Sequence, residues 1–76
     1  MKKLERLERF EAGKDYKVVE SFEYWDYMQR EPIIIPSGEI LRFDAPSFGG
    51  VARFYRKGGM LLLIKGKEAF KRIGKI

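Results

Sequence analysis

Neither cysteine nor histidine occurs anywhere in the 76 residues. Those two residues supply most catalytic nucleophiles, general bases and zinc ligands. Disulfide frameworks, zinc fingers, iron–sulfur clusters and Ser-His-Asp or Cys-His arrangements are therefore excluded within this chain. A carboxylate-only magnesium or calcium site stays formally open, but the acids lack the spacing of a calcium loop, so no metal and no cofactor is expected. Long apolar runs are missing as well. The longest, residues 60–64, is far short of the roughly 20 residues that cross a bilayer, and no apolar stretch of signal-peptide type stands at the N-terminus. A soluble, cytoplasmic protein with no membrane association is expected.

What is present suffices for a fold. Hydrophobic residues make up 45% of the chain, and six Phe, four Tyr and one Trp are available for a core despite 36% charged residues. At 8.9 kDa the chain is expected to be a single domain over residues 1–76, near the lower limit at which one apolar core holds a protein together.

The charge is unevenly placed. Sixteen basic and eleven acidic residues leave a net +5. Residues 49–76 carry Arg53, Arg56, Lys57, Lys65, Lys67, Lys71, Arg72 and Lys75 against Glu68 alone, whereas residues 1–48 carry eight basic and ten acidic residues. Such a split points to a surface for a polyanion or an acidic protein, or to a basic face that serves solubility alone.

Residues 2–12 place Leu4, Leu7 and Phe10 along one side, Glu5 four positions before Arg9, and Gly13 where a left-handed cap belongs. This predicts an N-terminal amphipathic helix over residues 1–13, followed by a β body over residues 14–76. A helix so short is marginal alone in water, so its stripe must dock on its own domain or on a partner, including a second copy. Residues 15–27, rich in β-branched and aromatic side chains, read as one strand. Ile33, Ile34 and Ile35 between two prolines form a short stiff strand, residues 39–44 another, and residues 45–50 a loop. Residues 51–56 and 60–64 form a hairpin about Lys57-Gly58-Gly59. Residues 67–76 fit a short helix, with Ala69, Phe70 and Ile73 on one side and a ladder of Lys67, Lys71 and Lys75 on another. They fit equally a helical turn that enters a last strand.

The fold class expected is mainly β, α+β at the margins: a strongly bent sheet or partly open barrel of four to five strands, with an N-terminal helix and a short C-terminal helical turn. The stretch Ile33-Ile34-Ile35-Pro36-Ser37-Gly38-Glu39-Ile40-Leu41 resembles the strand–turn–strand of SH3-like barrels. The Gly-rich hairpin and the closing turn near Ala69-Phe70 are similar to that architecture too. The resemblance implies no particular activity, because such barrels bind DNA, RNA, proline-rich peptides and protein partners alike.

Three groups of residues are candidates for function. Arg53, Tyr55, Arg56, Lys57, Lys67, Lys71, Arg72 and Lys75 would contact nucleic-acid phosphates with little base preference, or form a solvated face without a ligand. Trp25 and Tyr27, on the strand face opposite Phe22 and Tyr24, would meet a protein or peptide, because neighbouring carboxylates disfavour phosphate; the competing role is core packing. Phe48 would anchor in a partner's pocket or fold back over an open barrel end. An enzyme is not expected, since Ser21, Ser37 and Ser47 have no possible His partner. The expectation is a small binding module for nucleic acid. The alternative is a protein-interaction module or inhibitor, of the kind mobile elements encode, docking through the aromatics, Phe48 or the Leu4, Leu7 and Phe10 stripe, the last also serving a homodimer.

Overall fold

The computed structural model describes residues 10–25 and 31–76. Its strands are β1 (Asp15–Val18), β2 (Phe22–Tyr24), β3 (Ile33–Ile35), β4 (Ile40–Ser47), β5 (Val51–Arg56), β6 (Leu61–Lys65) and β7 (Ile73–Gly74). One helix, α1 (Gly66–Arg72), lies between the last two strands. The mainly β class holds, with more strands than the four to five expected.

Alternation builds the main sheet. Tyr16 and Val18 of β1, Leu41 and Phe43 of β4, Ala52 and Phe54 of β5, and Leu62 and Ile64 of β6 are buried, while the residues between them face outward. All ladders are antiparallel, and the sheet runs β6-β5-β4-β1-β7. It is not closed: β6 and β7 are its two edges. Gly58, at φ +100 within the Arg56–Met60 turn, takes the left-handed conformation that this tight connection needs. A second, two-stranded sheet pairs Phe22 with Ile35 and Tyr24 with Ile33, and Ile35 enters the common core.

That core is aromatic at its centre. The Phe10 ring lies 4.9 Å from Tyr16, 5.2 Å from Phe54, 5.4 Å from Phe43 and 5.7 Å from Phe70, mixing edge-to-face and stacked geometry. Phe70 and the buried Ala69 bring α1 onto this cluster.

Four expectations need correction. Residues 15–27 are not one strand: after Val18 the Val19 and Glu20 amides donate to the Arg72 carbonyl, at 2.7 and 3.4 Å, and the chain leaves the sheet before β2. Ala45, Pro46 and Ser47 are not loop but the end of β4, paired with Arg53, Ala52 and Val51. A register shift between Phe43 and Ala45 bends the strand and lets Pro46 join it. Of the N-terminal helix, residues 1–9, with Leu4 and Leu7, lie outside the described residues. Residues 10–13 are a bend and a turn, closed by the Lys14 amide donating to the Glu11 carbonyl at 3.1 Å. Phe10 belongs to the domain's own core, the first of the two dockings expected of its stripe, and is not available to a second copy. Residues 67–76 take the second of the two forms expected, since α1 stops at Arg72, where Ile73 turns to φ −126 and enters β7, but the lysine ladder needs correction. Lys67 and Lys71 share one helix side, while Lys75 lies beyond the last strand, so the three-step ladder has two rungs.

Candidate nucleic-acid interface

The outward side of the sheet follows from the same register that builds the core. Arg42, Tyr55 and Leu61 stand side by side on β4, β5 and β6, Arg53 stands opposite Leu63, and Val51 opposite Lys65. Lys57 continues this side into the hairpin turn, and Lys17 of β1 stands opposite Ile40. Asp15, Ile40, Arg42, Tyr55, Arg56 and Lys57 line a shallow concavity of about 260 Å³.

The cations divide by residue type. Arg56 forks onto Glu39, its Nε and Nη2 donating at 2.6 and 2.8 Å, with side chains only 24% and 17% exposed. This hydrogen bond holds the Arg56 pKa above its ordinary value. Arg72 donates to Glu68 at 2.8 Å, lies 3.8 Å from Glu20, reaches the Ser21 carbonyl at 3.4 Å and stands 5.8 Å over the Phe22 ring. Arg53 lies 3.3 Å from Asp44 and Arg42 donates to Asp15 at 3.1 Å. These planar forks are suited to carboxylates. Arg53, Arg56 and Arg72, expected to meet phosphate, are each paired with a carboxylate within the fold.

The lysines behave differently. Lys17, Lys57, Lys65, Lys67, Lys71 and Lys75 are exposed and form no ion pair among the described residues. Against them, only Glu23 and Glu31 are similarly unpaired among the described carboxylates. Lys65 ends β6 on the outward sheet side, and Lys67 and Lys71 follow on α1, which packs against the core. Lys17 was missed in the sequence although its position between Tyr16 and Val18 marks it as outward.

The aromatic candidates separate too. Phe48 occupies a tight turn between β4 and β5 and is 97% exposed, so it does not fold back over the sheet. Trp25 is 62% exposed and lines a groove with Phe22, Tyr24, Leu63 and Lys65, whereas Phe22 and Tyr24 pack on the core. Tyr27 lies outside the described residues. The Tyr24 hydroxyl accepts the Leu63 amide at 3.0 Å, covering one donor of the β6 edge, a role not visible in the sequence.

Comparison with known protein families, with curated proteins and with solved structures finds no match. Among the described residues no cluster of three or more acidic side chains could hold a metal ion, and no helix is long and apolar enough to cross a membrane.

Proposed function

We propose that this protein is a small, non-enzymatic binding module that associates with nucleic acid through non-specific phosphate contacts. One observation carries the reading: Asp15, Glu20, Glu39, Asp44 and Glu68 are held by arginines, and six exposed lysines form no ion pair among the described residues. Lysine is a compact point charge on a flexible stem, suited to a mobile phosphate and poor at reading base edges. The arrangement favours weak, salt-sensitive binding with little sequence preference. We also read the architecture as SH3-like. Support comes from β1 lying between β4 and β7, from the β2–β3 excursion between the first two strands of the main sheet, and from a helical turn before the last strand. That reading by itself implies no ligand.

The test is affinity for a labelled oligonucleotide as salt is raised. If four lysines reach phosphates of a duplex together, the affinity falls about 10²-fold between 50 and 200 mM salt. Lys67→Gln and Lys71→Gln each flatten the salt slope by about 0.9. No binding at 50 mM salt would overturn the reading.

Phe48 and Trp25 favour a second reading, docking on a protein partner, because large exposed aromatics are effective anchors. Here a Phe48→Ser, Trp25→Ser protein would melt like the parent and keep its affinity for oligonucleotides, but lose a partner that the parent retains from the native host. Equal retention by both proteins would remove this reading.

A further inference from the structure

We propose that the preferred ligand is a single strand, with an unpaired base stacked on Tyr55; this rests on the phosphate-binding reading above. Tyr55 stands near the hairpin end of β5 on the outward sheet side, between Arg42 and Leu61. The core aromatics are engaged ring to ring, but among the described residues Tyr55 makes no ring contact and its hydroxyl no hydrogen bond. Its ring and Ile40 give the concavity an apolar lining, and Lys57 gives its rim an unpaired positive charge, while Arg56 there is paired with Glu39. The one carboxylate there, Asp15, is held by Arg42 at 3.1 Å. At about 260 Å³ the space lies below that of pockets that enclose a whole small molecule, and it suits a flat ring lying on the surface.

Shape argues against a duplex. Strands lie about 4.8 Å apart, so β4, β5 and β6 with their side chains are broader than the two-stranded ribbon that the roughly 12 Å major groove admits. The sheet side can touch duplex phosphates from outside, but it cannot reach a paired base. A single strand offers both phosphates and open π faces, and stacking is indifferent to base identity. The Trp25 groove is a poorer platform, because the unpaired Glu23 lines it beside Lys65 and offsets that charge.

Three probes at low salt test this: a single strand, the duplex of the same sequence, and a single strand of the same length lacking bases. The single strand is expected to bind most tightly, and the abasic strand about 5- to 150-fold more weakly for one stacked base. Tyr55→Leu should weaken binding of the intact strand over the same range and leave the abasic strand unaffected, while Tyr55→Phe, which keeps the ring, restores the parent affinity. If the abasic strand or the duplex binds as tightly as the single strand, the stacking proposal is overturned and phosphate binding stands. If no probe binds, both fall. Should Tyr55→Leu not fold, the abasic comparison on the unaltered protein still decides.

Discussion

Arg56 and Lys57 are neighbours in the chain and both were candidates for phosphate, yet the structure assigns them opposite tasks. Replacing Arg56 by Ala removes two charge-assisted hydrogen bonds and leaves the Glu39 carboxylate, only 17% exposed, without its partner. Hydrogen bonds to charged groups contribute about 1.5–3 kcal/mol, and partial exposure places this loss near the lower end, at about 2 kcal/mol. In a domain of this length that lowers the melting temperature by about 8–16 °C. Because Glu39 raises the Arg56 pKa, the guanidinium's contribution is present below the ordinary arginine value and is lost only as pH rises through the raised one. Neutral or acidic pH therefore leaves the guanidinium charged, and mutation is the practical way to remove it.

Lys57→Ala removes an exposed side chain with no ion pair, so stability should change by less than about 0.5 kcal/mol. The same substitution should flatten the salt dependence of oligonucleotide binding by up to about 0.9. Thermal melts and salt titrations on both variants provide the assay. The Glu39→Ala, Arg56→Ala double variant should recover part of the loss, since removing both charges is less costly than stranding one. An Arg56→Ala protein that melts like the parent but no longer binds oligonucleotide would refute the division between arginines and lysines.

Other expected outcomes follow from the same contacts. Asp44→Asn frees Arg53 on the outward sheet side and should tighten oligonucleotide binding and steepen its salt slope by up to about 0.9, measured by the same titration; an unchanged slope would show that Arg53 lies off the binding surface. Tyr24→Phe leaves the Leu63 amide to solvent and should cost about 0.5–1 kcal/mol, with increased self-association by light scattering as the β6 edge is uncovered. Phe54→Ala empties a fully buried position against Phe10 and Phe43 and should cost about 3–5 kcal/mol, read as loss of the cooperative melt. Hydrogen bonding from Arg72 holds the Glu68 carboxyl below its usual range, so this contribution is full at neutral pH and is lost as pH falls below about 4.5. Glu68→Gln should accordingly narrow the difference between melts at pH 7 and pH 3.

What the sequence made legible was local. Alternation of Tyr16 and Val18 with Asp15 and Lys17 is visible in the chain, as is the hairpin about Lys57-Gly58-Gly59, and both are present. The break after Val18 was not legible, because the acceptor that draws Val19 and Glu20 out of the sheet is the Arg72 carbonyl, far along the chain. Nor was the extension of β4 through Pro46, which depends on the irregular register opposite β5. At the candidate site, the exposure of Lys57, Lys67 and Lys71 followed from pattern. The occupation of Arg53, Arg56 and Arg72 did not, because their carboxylates include Asp44, Glu39 and Glu20, which only the folded topology brings within reach.

These long-range pairs change the meaning of the uneven charge. A chain with its acids early and its bases late would carry a strong dipole if the two parts stayed apart, but the fold interleaves them. Glu20, Glu39 and Asp44 from the first part neutralise Arg72, Arg56 and Arg53 from the last. Part of the segregation is thus a pairing pattern that links β5 and α1 to the earlier segments and is cancelled by ion pairs once the domain folds. What survives on the surface is set by residue type: the guanidinium forks are occupied, and the ammonium groups of Lys57, Lys65, Lys67, Lys71 and Lys75 remain for solvent or phosphate. Since these contacts are single point charges spread over a sheet side, a turn and a helix, affinity must come from several acting at once. On the stacking proposal, discrimination among ligands falls instead to Tyr55, whose ring lines a concavity with Lys57.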